Sequence, residues 1–590
     1  MCGIIGYAGG GNAAENVYEG LKRLEYRGYD SAGMAVITPS GEVKVVKKQG
    51  KVSVLKPYIA DIRGATGMGH TRWATHGKPS DINAHPQSAG GIYVVHNGII
   101  ENYAELKEKL IAAGETFISE TDSEVIAHLI KLNFGGDILT ALHKTAKLLT
   151  GSYALMVIRE GEHRIAALKH RSSLIVGYGE GENFCASDRP ALAGKCGEVS
   201  VLEDGDFALI TAGKIEIFDK DLTPVSRPKI ENTLTAEKLG LNGCPHYMLK
   251  ELREVPQTVK NTFSSFEEVK EKLKDVLSGV RRVIFLGCGT AYHAGLIGKK
   301  YFETFARIPA EAENASEFRY KDPVISCGDA VFAVTQSGET ADTIEAALLA
   351  KNLGAKVIAV TNVPQSAITR CAHAVVPVSA GAEICVAATK SYVGQIAALY
   401  LCAMTFAGNA VTPKEIKLLA EMPAVLQKTI DDINVYALAN MCARSSGVYF
   451  LGRSYDYAVA LEGSLKLKEV SYVPSEGYPA GELKHGTLAL IDENTVSVVL
   501  ITDSELAPKS ENAVEQVLSR GGKVAVLTCL PEVCERLKNK AEIILLPACN
   551  KFLSPLVTAI AVQELAYRTA VILGRDPDKP RNLAKSVTVE

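Results

Sequence analysis

The C-terminal part of this chain repeats itself, and this repeat restricts the possible folds more than any other feature of the sequence. The strand-like stretch 283–287 (VIFLG) returns as 448–452 (VYFLG), at an offset of 165 residues. The next apolar strand, 331–334, is expected to return as 496–499 at the same offset. Each copy alternates β-branched strands with helical stretches. The sequence therefore predicts two doubly wound parallel α/β domains.

Length and composition define the broad class of protein. A chain of 590 residues suggests about three or four domains. A net charge of -3 and the lack of a basic run argue against a nucleic-acid partner. No apolar stretch reaches the length of a membrane helix, and 13 scattered cysteines fit reduced thiols better than a disulfide framework. We expect a soluble, cytoplasmic protein with neither a nucleic-acid nor a membrane partner.

The N-terminus carries a cysteine in an unusual position. Cys2 directly follows the initiator, and Met1 is expected to be removed because the second side chain is small. The mature chain would then begin with a thiol and an α-amino group on one residue. That amine has an ordinary pKa near ~7.7–8.0, so it can take the proton from its own thiol. The alternative is a small residue that simply begins a buried strand.

Polar clusters farther along the first third could supply the rest of an acyl-transfer site. The Asn97 amide and the Gly98 backbone N–H are two adjacent donors for an oxyanion. Arg72 could bind an α-carboxylate through two hydrogen bonds, and Asp122 could bind an α-ammonium group. Each has a simpler alternative: Asn-Gly as a hairpin turn, Arg72 as a surface charge and Asp122 as a helix cap.

Taken in order, these clusters resemble the class II, N-terminal-nucleophile glutamine amidotransferases over roughly residues 2–218. The matching motifs are CGIxG, RGYDSAG, HTRWATHG, HNGIIEN and ETDSE. The resemblance implies an αββα domain in which Cys2 forms a glutamyl thioester, Asn97 and Gly98 hold the oxyanion, and Arg72 and Asp122 bind glutamine. It also makes Trp73 a gate between two active sites. The remaining residues assigned to substrate binding are Thr75, His76 and His85.

The histidines of this region do not have metal-ligand spacing and are interpreted as hydrogen-bonded structural residues. Ammonia released from glutamine needs an acceptor, which the rest of the chain must provide. Neither a PP-loop nor a paired-Asp phosphoribosyl loop is present. A Pro-, Asn- and Gly-containing segment, 219–249, is interpreted as an interdomain linker.

The first copy of the repeat contains a candidate phosphate site. Its strand 330–334 runs into Thr335-Gln336-Ser337-Gly338-Glu339-Thr340, which precedes a predicted helix. Hydroxyls and a glycine at a strand-to-helix turn can cradle a phosphate, although turn formation and capping explain them equally well. The matching turn of the second copy, 500–504, lacks the glycine and contains Asp503. We therefore expect only the first copy to bind phosphate. The other turn of the first copy, at 287–292, fails the dinucleotide fingerprint.

The second copy contains three charged residues at helical spacing. Glu462, Lys466 and Glu469 stand at i, i+4 and i+7, which places them on one helix face. An exposed stripe of ion pairs is the simpler interpretation. His485, in GELKHG, and Lys585, near the C-terminus, strengthen a functional interpretation.

These features resemble the sugar isomerase (SIS) domain pair of the glutamine–fructose-6-phosphate aminotransferase family over most of residues 245–590. The matching motifs are CGTAYHAG, ASEFRY, TQSGETADT, ALEGSLKLKE, GELKHG and PRNLAKSVTVE. The resemblance assigns the sugar phosphate to Thr335, Gln336, Ser337 and Thr340, and the sugar itself to Cys288, Gly289, Thr290 and Val386. It makes His485 the ring-opening residue, which acts in the neighbouring subunit of a homodimer.

By the same resemblance, Lys585 forms a Schiff base at C2, and Glu469 moves a proton between C1 and C2 with Lys466 and Glu462 nearby. Ala291, Thr335 and Ala388 stand where the family often has Ser, which puts single hydroxyl contacts in doubt. The expected organisation is a glutaminase domain (2–218), a linker (219–249), two SIS domains (273–412 and 438–580) and a C-terminal tail (581–590).

The sequence thus predicts transfer of the amide nitrogen of L-glutamine to fructose 6-phosphate, giving glucosamine 6-phosphate and L-glutamate. The expected partners are these two small molecules and a second copy of the chain. Ammonia is expected to travel internally, and no metal, flavin, pyridoxal phosphate or nicotinamide is implied. Two alternatives are a fructosamine-phosphate deglycase, which would not need Cys2, and a sugar-phosphate-sensing regulator, which would not need Lys585.

Overall fold

A computed structural model describes residues 2–408 and 413–587 of the chain, which form two compact units. The first contains residues 2–240 together with 584–587, and the second contains residues 241–583. The expected loss of Met1, and the ends of the expected domain 273–412 and tail 581–590, lie outside the described residues.

The first unit consists of antiparallel strands and five α-helices. Its strands are β1 (Gly3–Gly9), β2 (Ser31–Ile37), β3 (Val43–Gln49), β4 (Thr66–Arg72), β5 (Gln87–Ala89), β6 (Ile92–Ile100), β7 (Gly151–Arg159), β8 (Glu162–His170), β9 (Ile175–Tyr178), β10 (Glu182–Ala186), β11 (Glu198–Val201), β12 (Phe207–Ile210), β13 (Ile215–Phe218), β14 (Pro224–Val225) and β15 (Lys229–Glu231). Its helices are α1 (Ala13–Leu24), α2 (Lys56–Ile59), α3 (Tyr103–Ala112), α4 (Glu124–Asn133) and α5 (Ile138–Ala146).

The strands form two sheets that are covered by helices on their outer faces. One sheet has the order β15-β11-β9-β10-β1-β4-β2-β3, and the other has the order β14-β13-β12-β8-β7-β6-β5. One apolar cluster fills the space between the sheets, a second joins the first sheet to α1, and a third joins the second sheet to α4 and α5. Strand β1 is buried along its whole length because it lies centrally, between these layers. The expected αββα arrangement is confirmed.

The segment 219–249 differs from the expected linker. Strand β14 pairs with β13, and β15 pairs with β11, so its first part completes the edges of both sheets. Its last residues begin a helix at Tyr247. The Pro and Asn residues that suggested a linker occupy short edge strands and turns, where a missing backbone donor is tolerated.

The second unit contains two parallel sheets and many buried helices. Its helices are α6 (Tyr247–Arg253), α7 (Val255–Leu277), α8 (Thr290–Tyr301), α9 (Ala315–Phe318), α10 (Ala341–Asn352), α11 (Ala367–Cys371), α12 (Lys390–Phe406), α13 (Pro413–Asp432), α14 (Tyr436–Ala443), α15 (Tyr455–Ser471), α16 (Ala507–Leu518), α17 (Pro531–Leu537) and α18 (Ser554–Ile572). Its strands are β16 (Arg282–Gly287), β17 (Ala310–Asn314), β18 (Asp329–Thr335), β19 (Lys356–Thr361), β20 (Ala374–Pro377), β21 (Gly447–Gly452), β22 (Ser475–Pro479), β23 (Thr495–Ile501), β24 (Lys523–Thr528) and β25 (Glu542–Leu545).

The two sheets have the same topology, which confirms the repeat and the doubly wound parallel fold. Their orders are β17-β16-β18-β19-β20 and β22-β21-β23-β24-β25. The turn before the first helix of each copy also has one shape: Gly289 has φ 54° and ψ −120°, and Ser454 has φ 55° and ψ −120°.

The offset of 165 residues expected for the strand 331–334 is wrong. Ile284 pairs with Val331, whereas its counterpart Tyr449 pairs with Ser497. One extra residue therefore precedes β23, and β18 and β23 correspond at an offset of 166. Apolar residues on both faces of a buried parallel strand hide such a shift, because either register looks equally hydrophobic.

The two copies share one hydrophobic core. The inner faces of both sheets and helices α7, α8, α12, α15 and α18 contribute to a single cluster of buried residues. Smaller clusters cover the outer face of each sheet. The helices α15 and α8, one from each copy, are thereby held side by side.

We predict that Leu467→Ala destabilises the second unit. Leu467 lies on α15, is fully buried and belongs to the shared core. Truncating it should cost about 2–5 kcal/mol of unfolding free energy because it leaves a cavity. Urea and thermal unfolding measure the effect. Leu545→Ala, at an exposed position, is the control and should change little. Equal midpoints for the two variants would contradict a shared core.

Candidate active sites

Cys2 lies at the start of β1, in contact with the residue that follows β4. Its Sγ atom accepts a hydrogen bond from Trp73 N at 3.4 Å and lies 3.6 Å from Trp73 O. Burial raises the pKa of the Cys2 thiol. A thiol with a raised pKa needs a base to become a nucleophile, which is the role available to an α-amino group on the same residue.

Asn97 and Gly98 lie within strand β6 and not in a hairpin turn. Asn97 pairs with Ala154 and Gly98 with Tyr153 in the neighbouring strand β7. Asn97 Nδ2 donates to the backbone carbonyl of Cys2 at 3.0 Å. Gly98 has a φ of 130°, and a Cβ atom there would lie 1.8 Å from Ser152 O. The strand thus requires glycine at this position.

The backbone of Cys2 has a second support that our sequence analysis did not identify. Arg27 Nε donates to the Cys2 carbonyl at 3.2 Å, and Arg27 Nη1 lies 2.7 Å from Asp188 Oδ2. Tyr26 OH donates to the same carboxylate oxygen at 2.5 Å. Arg27 belongs to the RGYDSAG motif, so a sequence signal existed, but Asp188 is 161 residues away and had none.

Arg72 and Asp122 are buried near the thiol, so Arg72 is not a surface charge. The helix-cap alternative for Asp122 is also wrong, because Ser123 is the N-cap residue of α4. Arg72 lowers the pKa of Cys2 through its charge and Asp122 raises it, although burial is the largest influence. Arg72 Nη2 donates to the carbonyls of His76 and Gly77, the latter at 2.9 Å. Its Nη1 atom is buried and has no hydrogen-bond partner among the described residues. Asp122 accepts from Ile100 N at 2.9 Å.

Three buried histidines support this region. The rings of His70 and His85 stack at 4.0 Å, and His85 Nδ1 accepts from His96 N at 3.2 Å. Burial lowers the pKa of all three imidazoles. His96 Nδ1 is 2.8 Å from the Ser123 hydroxyl, next to Asp122. His85 is thus held inside a packed stack. Trp73 and His76 are half-buried, and Thr75 is exposed.

In the second unit, the candidate phosphate turn connects β18 to the N-terminus of α10. Gly338 N donates to Thr335 Oγ1 at 3.2 Å, and Glu339 N donates to Ser337 Oγ at 3.1 Å. Thr340 Oγ1 lies 3.4 Å from Thr335 Oγ1, and the backbone carbonyl of Gln336 accepts from Asn362 N. Hydroxyls and the positive end of a 12-residue helix therefore converge, which favours an anion.

In the matching turn of the second copy, hydrogen-bond donors are already bound to a carboxylate from the same copy. Thr502 N and Oγ1 donate to Asp456 at 2.9 and 2.6 Å. Asp456 corresponds to Ala291 of the first copy at the 165-residue offset. At the corrected offset of 166, Asp503 corresponds to Ser337. Burial raises the pKa of Asp456 to about 6.

Helices α8 and α15 bring a buried charged cluster together. Glu462 is fully buried and accepts from Thr290 Oγ1 at 3.0 Å, with His293 Nδ1 at 2.7 Å. Lys466 Nζ lies 3.6 Å from Glu462 and 2.5 Å from Glu469. Burial alone would lower the pKa of Lys466, but Glu469 and Glu462 together raise it. The exposed-stripe alternative is wrong. Our sequence analysis missed His293, three residues after Thr290.

The other sugar-site candidates of the first copy lie on two loops. Cys288 Sγ is 3.8 Å from Thr343 Oγ1, and Gly289 directly precedes α8. Val386 is buried, and its N–H donates to Asp578 O at 3.1 Å. Two buried carboxylates hold this second loop: Glu251 accepts from Cys385 N at 3.0 Å, and Glu383 accepts from Thr389 N at 3.0 Å.

The last two catalytic candidates are His485 and Lys585. His485 is exposed, at the end of a short helical turn from Leu483. Lys585 is half-buried and groups with the first unit, whereas Glu469 belongs to the second. In the described part of the chain, no three His, Cys, Asp or Glu side chains are grouped so as to hold a metal ion. Nor does any helix described here have the length and apolarity needed to cross a membrane.

Comparison with protein families defines the class of this chain. A glutamine amidotransferase domain profile matches residues 70–193, and the SIS domain profile matches twice, at 276–405 and 442–573. The protein is thus a glutamine amidotransferase combined with a pair of SIS domains.

Similar proteins match along the whole chain. The glutamine–fructose-6-phosphate aminotransferase (isomerizing) of a Thermus thermophilus strain is 46% identical over 609 aligned residues, and that of Aquifex aeolicus is 45% identical over 597; both alignments cover 100% of each chain. The C-terminal domain of glucosamine-fructose-6-phosphate aminotransferase from Francisella tularensis is 34% identical with a TM-score of 0.54, covering 58% of this chain and 99% of that one. The chain belongs to the glutamine–fructose-6-phosphate aminotransferase (isomerizing) family.

We predict that the two SIS copies differ in anion binding. Ser337→Asp should weaken binding of inorganic phosphate by more than about tenfold, because like charges about 4 Å apart repel by several kcal/mol near a protein surface. Asp503→Ala, at the corresponding position of the second copy, should leave the affinity unchanged. Titration calorimetry measures both. Phosphate affinity that survives Ser337→Asp, or that is lost in Asp503→Ala, would contradict the asymmetry.

Proposed function

We propose that this protein transfers the amide nitrogen of L-glutamine to D-fructose 6-phosphate and isomerises the sugar, giving D-glucosamine 6-phosphate and L-glutamate. The proposal rests on one observation above all: a single chain contains a supported N-terminal thiol, a hydroxyl-lined turn and a Glu-Lys-Glu cluster. The first can release ammonia from an amide, and the other two can bind and isomerise a phosphorylated sugar.

In the first unit, the Cys2 thiolate attacks the side-chain carbonyl carbon of glutamine after its proton passes to the α-amine. Asn97 Nδ2 and Gly98 N–H stabilise the oxyanion, and collapse of the intermediate expels ammonia and leaves a glutamyl thioester. Water then hydrolyses the thioester to glutamate and regenerates the thiol. The unpaired Nη1 of Arg72 suits the α-carboxylate of glutamine, and Asp122 suits its α-ammonium group.

In the sugar reaction, the turn 335–340 holds the phosphate of fructose 6-phosphate. His485 opens the sugar ring, and the Lys585 amine condenses with the C2 carbonyl, releasing water. Ammonia then displaces Lys585 from C2. Glu469 moves a proton from C1 to C2, which converts the ketose imine into the aldose amine. Lys466 Nζ lies 2.5 Å from Glu469, so a positive charge sits beside the carboxyl group that carries the proton.

The exposed position of His485 supports a site completed by a second copy, so we propose a homodimer. The free state of each of the 13 cysteines supports a reducing, cytoplasmic location.

We predict that Cys2→Ala separates the two half-reactions. Glutamine hydrolysis and glutamine-dependent formation of glucosamine 6-phosphate should fall at least about 1000-fold, because the nucleophile is lost. Isomerisation of fructose 6-phosphate to glucose 6-phosphate should persist, because it needs no ammonia. Cys327→Ala removes an exposed free thiol and serves as the control. Intact mass should show that Met1 is absent from active enzyme; full activity with Met1 retained would contradict the α-amine as base.

We also predict that Gly98→Ala selectively impairs the glutaminase reaction. The added Cβ would clash with Ser152 O and shift both oxyanion donors, so kcat for glutamine hydrolysis should fall about 100–1000-fold. Sugar isomerisation should be unaffected. Gly10→Ala is a matched control, since no heavy atom lies within 4 Å of its added Cβ. Equal glutaminase rates in the two variants would remove Gly98 from the oxyanion site.

A further inference from the structure

One of the two sugar-site loops of the first SIS copy is irregular and yet mostly buried. This segment, here called the sugar-site loop, comprises residues 378–389, which connect β20 to α12 without a helix or strand. It carries Val386, which is assigned to the sugar. A buried backbone outside regular structure must find acceptors elsewhere for its N–H groups, because an unpaired buried donor is costly.

A single carboxylate accepts hydrogen bonds from three groups of this loop. Glu251 is buried on α6, and its Oε1 atom accepts from Ile384 N at 2.5 Å and from Cys385 N at 3.0 Å. Its Oε2 atom accepts from the Thr389 hydroxyl at 2.9 Å. All three groups are donors, which suits a carboxylate because both of its oxygens accept. Glu251 thus binds the two residues that directly precede Val386.

Other contacts of the loop use different donors. Glu383 accepts from Thr389 N and from Ser391 N, both at 3.0 Å, which holds the end of the loop against the start of α12. Cys385 Sγ donates to Pro577 O at 3.4 Å. These contacts leave the two N–H groups that Glu251 binds to Glu251, so they do not take its place.

The chain after α18 connects the same loop to the helix that carries Glu251. The backbone carbonyl of Asp578 accepts from Val386 N at 3.1 Å. Its carboxylate accepts from Tyr247 N at 2.7 Å and from Met248 N at 2.8 Å, at the start of α6. The helix is thereby fixed against a segment that also contacts the loop, so it presents Glu251 from a defined position.

We propose that Glu251 is a positioning residue for the sugar-site loop and that it acts through this loop on the affinity for fructose 6-phosphate. This inference rests on the proposed function, in which Val386 lines the sugar. Helix α6 lies outside both matches of the SIS profile, 276–405 and 442–573. A helix that precedes the repeated domains therefore completes the sugar site of the first copy.

Loss of the Glu251 carboxylate would remove the acceptor of two backbone N–H groups, so the loop should shift and move Val386. The phosphate turn has its own link to the start of the loop. Asn362 Oδ1 accepts from Ala380 N at 2.7 Å, and Asn362 N donates to Gln336 O at 3.2 Å. We therefore expect weaker binding of the whole sugar phosphate and unchanged binding of inorganic phosphate.

Three substitutions test the proposal in the full-length enzyme. Glu251→Gln keeps the length and one accepting oxygen, Glu251→Asp keeps the charge but shortens the reach, and Glu251→Ala removes both oxygens. KM for fructose 6-phosphate, measured in isomerisation to glucose 6-phosphate, should rise about tenfold in Ala and less than about threefold in Gln, because one ordinary hydrogen bond corresponds to about a tenfold change in affinity. Asp should lie between them, and it replaces Ala in the test if the Ala variant does not fold.

The inhibition constant of inorganic phosphate and the rate of glutamine hydrolysis should stay within error in all three variants. Hydrogen exchange of residues 378–389 should accelerate in the order Gln, Asp, Ala. Glu268→Ala, at an exposed position on α7, is the control and should change none of these quantities.

A lower thermal midpoint with an unchanged KM would show that Glu251 only stabilises the fold, and would overturn the positioning role. A loss of phosphate affinity equal to the rise in KM would overturn it as well, because the phosphate turn would then be disturbed. If the wild-type enzyme does not isomerise fructose 6-phosphate, the proposed function fails together with the effect on sugar affinity. The exchange data alone then decide whether Glu251 holds the loop.

Discussion

The second unit depends on the interactions that the buried Glu462 carboxylate makes with its neighbours. This carboxylate receives hydrogen bonds from Thr290 and His293 of one SIS copy and lies beside Lys466 of the other. A carboxylate with no solvent contact is costly unless its oxygens are paired. The shared core between the sheets fixes α8 and α15 closely enough to provide those partners. Two copies of one domain thereby form one buried charged cluster that neither copy contains alone.

The first unit uses a different means to hold Cys2. Cys2 directly precedes the central strand β1, so the hydrogen bonds of the sheet restrict the position of its backbone. Arg27 and Asn97 both donate to its carbonyl, and Trp73 contacts its sulfur. These supports come from strand β6, from the short helical turn Glu25–Arg27 and from the residue after β4, so a rigid scaffold holds the thiol.

The two SIS copies differ in the residues that form and contact the turn after β18 and β23. Ser337 of the first turn corresponds to Asp503, and Ala291 corresponds to Asp456, whose carboxylate occupies the turn of the second copy. The first copy kept an open, hydroxyl-lined turn. In the second copy, Asp456 occupies the corresponding turn, and this copy instead supplies the charged helix α15. Sequence comparison of the copies suggested the first difference, but the role of Asp456 emerged only from the hydrogen bonds.

Periodicity and short motifs predicted the two repeated α/β domains, the amidotransferase domain and the candidate residues, because both are local properties of a chain. It could not fix the register of β23, since strands buried on both faces are apolar in either register. It also could not pair Arg27 with Asp188 or Thr290 with Glu462. Those contacts form only in the folded chain, because they join residues more than one hundred positions apart whose types are equally common on exposed surfaces.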